Sequence, residues 1–539
     1  MDFPSNQEEI IVHLPNLGSL RGSETQSAWT GRRIFQFLGV KYAEAPVGEL
    51  RYKKPVPIAP WSGVKDTTKH GREFPSGKNF HEIPDEERFS PDLEDCLSLC
   101  VYSTDLTASH PVMVFIHGGG FFNGSSRQSP PNYLLEKDIV LVVPQYRIGP
   151  LGFLSTMSEE IPGNAGILDV ILALEWVQKN IEHFGGDPKA VTLFGQSAGG
   201  AVVSALSFSD IVREDLFSRV IIQSVSAFSP FVFCEDPVKS ARDIATKSGC
   251  PKEASLEEIN EFFMKIDPKT LIYAFLKHVQ YETPNGIGKI GGSRLTLGGP
   301  SKVFSETPFN IVRRGGGRKD LALMAGVTKN DYTYVMLIDL TNRALASDEQ
   351  SGMLSAYTVM QLLDIEALKA GDFYSMIEGI CDHAGSLTQK APLLREVQYH
   401  LQRSELPLFL YSFDYKGQHT RFNYGPDPSK YPFESGVAHT DDLIYLFPWP
   451  EKVAKLNEED TKIAQLMVDL WTSFATTGIP ASPLLSSWPA MRHIAGPYLK
   501  INKECTIAEN FYDEFKVNSQ EKKDKTEVDQ LQKTETTKL

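Results

Sequence analysis

Cysteine is scarce in this chain, with six residues spread over a length of 539. That density is too low for a disulfide scaffold, and no Cys-x-x-Cys pair or His/Cys cluster has the spacing of metal ligands. No apolar run approaches the roughly 18 to 20 residues that span a bilayer. The sequence therefore predicts neither a metal site nor a transmembrane segment.

Basic character and a secretory leader are also missing. The formal net charge is -14, which argues against nucleic acid as a partner. Residues 1–18 contain Glu8 and Glu9 and have neither the basic start nor the apolar centre of a signal peptide. We therefore predict a cytoplasmic protein, or an extracellular one if the given N-terminus is incomplete.

Apolar segments alternate in type along the chain. Continuous apolar runs at 112–116, 139–143 and 191–194 predict buried strands, and a helix is predicted at about 167–183 between the last two. Further strands are predicted at 321–326 and 408–413, whereas residues 516–539 are charged and predict a disordered tail. The alternation predicts an α/β fold, with a large, mostly parallel sheet and helices on both faces.

One short motif names a chemistry. Gly195-Gln196-Ser197-Ala198-Gly199 lies between the 191–194 strand and an apolar helix that begins near residue 201. A G-x-S-x-G segment in this context is a nucleophile elbow, in which the glycines remove side chains that would collide with nearby backbone. Ser197 is the predicted nucleophile. The five-residue pattern also arises by chance, so the rest of a catalytic site must accompany it.

A serine nucleophile needs a base, and the base needs a carboxylate to orient it. In enzymes with this elbow, the acid and then the histidine follow the serine along the chain. His439 lies in a polar segment beyond the last predicted strand and fits the base, with a surface histidine as the alternative. Asp331 follows the 321–326 strand and fits the acid, but an ordinary exposed aspartate fits equally well.

A glycine-rich segment follows the first buried strand. His117-Gly118-Gly119-Gly120 has the form of an oxyanion loop, because consecutive glycines let backbone N–H groups approach a substrate. Ala198, at the start of the helix after the elbow, offers another N–H where the helix dipole favours negative charge. A flexible glycine linker is the alternative interpretation.

Together these motifs resemble the type-B carboxylesterase, or cholinesterase-like, family over residues 9–515, after a short N-terminal extension at 1–8. Other segments that carry the resemblance are Glu94-Asp95-Cys96-Leu97, Tyr146-Arg147-Ile148-Gly149-Pro150-Leu151-Gly152-Phe153, Gly163-Asn164-Ala165-Gly166 and Phe184-Gly185-Gly186-Asp187-Pro188. The resemblance implies an α/β-hydrolase fold. It also implies the roles of nucleophile for Ser197, acid for Asp331, base for His439 and oxyanion donors for Gly119, Gly120 and Ala198.

The chain departs from this family at the acid. The family usually has Glu-Gly there, whereas this chain has Asp331-Tyr332, so the backbone must move inward to keep the bond to the histidine. Gln196 stands where the family commonly has glutamate. The acid variant resembles insect glutactin-like esterases, some of whose relatives have lost catalytic residues and serve in adhesion. Gln196 is a frequent form in insect members of the family.

Two cysteines that match family disulfide positions lack their partners. The position paired with Cys96 is Phe74, and the position paired with Cys250 lies near Phe262. Lost partners agree with a reducing compartment. Residues 74–90 also lack the tryptophan with which cholinesterases bind choline, so choline esters are not expected as substrates.

The sequence thus predicts a serine carboxylic-ester hydrolase that acts on a small apolar ester without a cofactor or metal. Phe121, Phe122, Phe153 and Phe228 are candidates for its apolar pocket, and core packing is the alternative for each of them. A catalytically silent binding or adhesion protein is the alternative function. An amidase or lipase on the same fold, and the oligomeric state, are left open.

Overall fold

The computed structural model describes residues 9–282, 294–331, 382, 384–420, 436–448 and 455–515. The predicted N-terminal extension at 1–8 and the predicted disordered tail at 516–539 lie outside the described residues.

The described residues contain fourteen strands and nine α-helices. The strands, β1 to β14 in chain order, are Ile11–Leu14, Gly18–Arg21, Ser23–Gln26, Arg33–Lys41, Val64–Asp66, Ser98–Ser103, His110–Ile116, Val140–Pro144, Gly186–Gln196, Arg219–Gln223, Ala322–Thr328, Leu408–Phe413, Tyr498–Ile501 and Thr506–Ala508. The helices, α1 to α9, are Gly149–Phe153, Ala165–Asn180, Ala198–Leu206, Pro237–Lys247, Leu256–Lys265, Pro268–Glu282, Pro308–Arg313, Ala391–Arg403 and Glu458–Thr477.

Eleven of the strands form one large sheet. Its order is β14-β13-β12-β11-β10-β9-β7-β8-β6-β4-β3, and β1, β2 and β5 form a separate small sheet. Neighbouring strands are parallel from β8 to β13 and antiparallel toward both edges. The predicted large, mostly parallel sheet is confirmed.

Both faces of the sheet are buried by helices. Along β7, Val112 and Val114 face a cluster that contains side chains of α2 and α3, whereas Met113 and Phe115 face a second cluster that contains side chains of α9. Alternate residues of a strand point to opposite faces, so a strand that is apolar at every position must be covered on both sides. The continuous apolar run of β7 therefore places it at the centre of the sheet.

The chain changes direction across the sheet at β7. β8 lies on one side of β7 and β9, the next strand in sequence, lies on the other. In open parallel sheets such a reversal leaves a crevice at the carboxyl ends of the strands, where ligands bind. The segments that follow β7, β9 and β11 therefore meet at one edge of the sheet.

Candidate active site

The predicted nucleophile stands at a sharp strand-to-helix turn. Ser197 follows β9 directly, α3 begins at the next residue, and Ser197 has φ 58° and ψ -128°. A Cβ on Gly195 would lie 2.5 Å from the Gly199 carbonyl oxygen, and one on Gly199 would overlap the carbonyl oxygen of Ile116. The turn therefore needs glycine at both positions, as the elbow motif predicts.

The structure brings the three predicted triad side chains together. Nε2 of His439 lies 2.8 Å from Oγ of Ser197, and Nδ1 of His439 is hydrogen-bonded to Oδ1 of Asp331. The other carboxylate oxygen of Asp331 accepts a hydrogen bond from the Thr328 N–H at 3.1 Å. Asp331 and His439 are both buried, so the histidine is not the surface loop residue of the alternative interpretation. Their catalytic roles stay predictions.

The glycine loop lies against the elbow. A Cβ on Gly118 would lie 2.6 Å from the Gln196 carbonyl oxygen, and Gly119 and Gly120 have φ of 117° and 64°. Among the described residues, the N–H groups of Gly119, Gly120 and Ala198 donate to no protein acceptor. N–H groups without a protein acceptor are able to bind an oxyanion, and the roles of these three stay predictions.

His117 fixes the start of this loop. Its ring stacks on Tyr146 with the centroids 4.5 Å apart, and the Tyr146 hydroxyl donates to the His117 carbonyl oxygen at 2.8 Å. Burial lowers the pKa of His117 to about 4, so the ring is neutral at neutral pH. His117 is a supporting residue of the loop and lies outside the hydrogen-bonded chain of the triad.

Two residues that the sequence analysis did not select lie behind the triad. Nε2 of Gln223 donates to Oδ2 of Asp442 at 2.7 Å, and the Trp471 indole N–H donates to Oε1 of Gln223 at 3.3 Å. Burial raises the pKa of Asp442 to about 6, although the bond from Gln223 lowers it. The position of Asp442, three residues after the histidine, was the available signal. Gln223 ends β10 and had none.

A second buried carboxyl supports the nucleophile helix. Oε2 of Glu396, on α8, accepts hydrogen bonds from Ser204 of α3 at 2.6 Å and from Ser226 after β10. Its Oε1 lies 3.9 Å from Nε2 of His400. Burial raises the pKa of Glu396 to about 7 and lowers that of His400 to about 4. Glu396 thus joins α8 to α3 and to the segment that follows β10.

The four predicted pocket phenylalanines differ in burial. Phe121 and Phe153 are buried and meet edge to face with their ring centroids 5.3 Å apart. Phe122 and Phe228 are half-buried, and Phe122 meets Phe275 at 5.7 Å. Partial exposure leaves Phe122 and Phe228 the better placed of the four to meet a ligand. Their role as pocket residues stays a prediction.

The two cysteines that match family disulfide positions lie in apolar clusters together with the phenylalanines at the partner positions. Cys96 and Phe74 belong to one apolar cluster, and Phe262 packs against the cluster that contains Cys250. Both cysteines are free thiols. The compartment of the protein stays a prediction.

Metal-ligating clusters and membrane-spanning helices are both absent from the part of the chain that the structure describes. It contains no group of three or more His, Cys, Asp or Glu side chains that could hold a metal ion. None of its helices is long and apolar enough to cross a membrane.

The chain is similar to known proteins over most of its length. A family model with the description "Carboxylesterase family" matches residues 8–520 of the chain. The chain is 31% identical to Carboxylesterase 3B of Mus musculus, over 90% of this chain and 86% of that protein. It is 30% identical to Juvenile hormone esterase of Tribolium castaneum, over 88% of this chain and 84% of that protein.

The similarity to Glutactin of Drosophila melanogaster is 28% identity over 92% of this chain and 49% of that protein, so the chain spans about half the length of that relative. The mostly parallel eleven-stranded sheet is consistent with the α/β-hydrolase fold implied by the resemblance. The chain belongs to the carboxylesterase family.

Proposed function

We propose that the protein is a serine carboxylic-ester hydrolase that acts through an acyl-enzyme. The observation that carries this proposal is the chain of hydrogen bonds from Ser197 through His439 to Asp331. Relatives named carboxylesterase and juvenile hormone esterase support ester hydrolysis as the reaction.

Each part of the site has one task in this reaction. Oγ of Ser197 attacks the ester carbonyl while Nε2 of His439 takes its proton, and the Asp331 carboxylate stabilises the imidazolium that forms. The N–H groups of Gly119, Gly120 and Ala198 hold the oxyanion of the tetrahedral intermediate. The intermediate collapses, the ester C–O bond breaks, and His439 gives its proton to the leaving alcohol. Water then attacks the acyl-enzyme by the same route and releases the acid.

The expected substrate is a small, uncharged, apolar ester. Gln196 places an amide 3.4 Å from Nε2 of His439, so this position holds no carboxylate that would attract a cation. Phe122 and Phe228 supply partly exposed aromatic surface. An apolar acyl or alcohol group gains free energy when it covers such surface.

The test is hydrolysis of p-nitrophenyl butyrate by the wild type, Ser197→Ala and Ser207→Ala. Ser207 directly follows α3, and its hydroxyl bonds only to the Val203 carbonyl oxygen among the described residues, so Ser207→Ala is a matched control. We expect Ser197→Ala to lose at least about 10³-fold in kcat, because the nucleophile is gone. Ser207→Ala is expected to stay within about twofold, since a local hydroxyl bond contributes little to the chemistry.

Two results would contradict the proposal. Folded wild type that releases no p-nitrophenol, neither in an initial burst nor at steady state, would favour the non-catalytic binding alternative. Equal rates for the wild type and Ser197→Ala would show that hydrolysis occurs elsewhere on the protein.

A further inference from the structure

Asn330, the residue before the predicted acid, joins the two loops that carry the acid and the base. Its backbone N–H donates to the Val437 carbonyl oxygen at 2.9 Å, and its side-chain Oδ1 accepts from the Val437 N–H at 3.0 Å. On its other side, Nδ2 of Asn330 donates to Oδ1 of Asp382 at 3.1 Å. Both ends of the amide are therefore used, and Val437 lies only two residues before His439.

The loop that carries the base is shaped to fit this amide. Gly436 has φ 62°, and a Cβ added there would overlap Oδ1 of Asn330 and lie 2.6 Å from its Cγ. The backbone at Gly436 thus lies directly against the asparagine side chain. A side chain at 436 would push the two loops apart.

The contact also sets the register between acid and base. Asn330 and Ala438 form an isolated parallel bridge, and the next residue on each side is Asp331 and His439. Because side chains of extended backbone alternate in direction, a slip of one residue would turn one of the two away from the other. The contacts of Asn330 therefore lie one residue from the bond between Asp331 and His439.

We propose that Asn330 is a positioning residue for the triad, which holds Val437 and thereby keeps the His439 imidazole between Ser197 and Asp331. The inference rests on the proposed ester hydrolysis. Catalytic groups must be held within about 0.5 Å of their productive geometry by neighbours whose own positions are fixed. The amide of Asn330 meets this requirement because Asp382 holds it from the side opposite to Val437.

Removing the side chain is expected to loosen the loop without detaching it. In Asn330→Ala the backbone bond from residue 330 to the Val437 carbonyl oxygen remains, so the chain still folds along the same path. The Val437 N–H loses its acceptor, and the imidazole samples positions from which it cannot reach Oγ of Ser197. We expect kcat to fall about 10-fold with KM unchanged, since the change affects the chemical step rather than the substrate surface.

Asn260→Ala is the matched control for this variant. Asn260 is a buried asparagine of α5 whose amide donates to Ser158 at 3.0 Å and to Glu160 at 3.4 Å. None of these residues belongs to the triad or its loops. The control therefore removes two hydrogen bonds of an asparagine amide and is expected to leave kcat within about twofold.

Hydrogen exchange supplies a readout that does not depend on activity. We expect the amides of residues 437–439 to exchange about 10-fold faster in Asn330→Ala than in the wild type, and to be unchanged in Asn260→Ala.

A reciprocal exchange tests the bond to Asp382. Asn330→Asp keeps an acceptor for the Val437 N–H but sets a carboxylate against the Asp382 carboxylate, so kcat is expected to fall. Adding Asp382→Asn reverses donor and acceptor and restores both bonds. The double variant is expected to recover at least half of the lost kcat.

The outcomes distinguish a failure of the positioning role of Asn330 from a failure of the proposed ester hydrolysis. Loop exchange and kcat that both stay within twofold of the wild type in Asn330→Ala would overturn the positioning role. A kcat loss with unchanged exchange at 437–439, and with no recovery when Asp382→Asn is added to Asn330→Asp, would likewise overturn it. Wild type without activity would contradict ester hydrolysis, whereas faster exchange at 437–439 would still support the hold on the loop.

Discussion

Replacing Asp331 with glutamate, the residue that the family more commonly carries there, is expected to impair hydrolysis. Both oxygens of the Asp331 carboxylate are used, one by Nδ1 of His439 and the other by the Thr328 N–H. The side chain has no exposed surface. An added methylene lengthens it by about 1.5 Å, so the carboxylate must leave one bond or push the imidazole toward Ser197.

The magnitude follows from this geometry. A misplacement of about 1 Å at a catalytic group costs about 100-fold in rate, which corresponds to about 2.7 kcal/mol. Forcing an extra methylene into a packed site lowers the free energy of unfolding by about 1–3 kcal/mol. Asp331→Asn keeps the shape but replaces an acceptor oxygen with a donor, so a loss of about 10⁴-fold is expected for that variant.

The assay is kcat/KM for p-nitrophenyl butyrate in the wild type and both variants, with urea unfolding of each to correct for the folded fraction. We expect kcat/KM to be highest in the wild type, lower in Asp331→Glu and lowest in Asp331→Asn. A glutamate variant with at least half of the wild-type kcat would refute the reasoning, because it would mean that the backbone is not fitted to the shorter acid. Activity of Asp331→Asn equal to wild type would remove Asp331 from the triad.

Two further changes test the support of the nucleophile helix. The raised pKa of Glu396 stabilises the fold fully below about pH 4.5, its ordinary value, and this contribution is lost as the pH rises through about 7. The free energy of unfolding of the wild type should therefore fall by about 3 kcal/mol relative to that of Glu396→Gln between these pH values. The measurement is urea unfolding at each pH, and an equal pH dependence of the two proteins would contradict the prediction. Gly199→Ala forces α3 away from the Ile116 carbonyl oxygen. It should lower the free energy of unfolding by about 3 kcal/mol, and an unchanged Tm would contradict the tight elbow.

The local pattern of apolar residues was sufficient to predict the strands at the centre of the sheet. The apolar runs predicted β7, β8, β11 and β12 to within three residues at each end, because buried parallel strands have no polar face to confuse the pattern. β9 is longer than predicted. It begins at Gly186, since the turn-like segment Gly186-Asp187-Pro188 extends beside His110 and Pro111 in an irregular register.

Contacts between distant segments could not be predicted in the same way. Gln223 and Asp442 are 219 residues apart in sequence, and only the folded chain sets one against the other. Asn330 was visible as a loop residue, but its bonds to Val437 depend on where two loops meet in space. Sequence therefore identified the groups that carry the proposed chemistry, and the fold was needed to find the groups that hold them.

The backbone of Ser197 has a consequence for the stability of this protein. A non-glycine residue at φ 58° and ψ -128° costs the fold about 1–3 kcal/mol, and glycine in its place would relieve most of that strain. Glycine at position 197 is therefore expected to stabilise the fold while it removes the hydroxyl. Stability and the proposed catalysis thus make opposite demands on this one position.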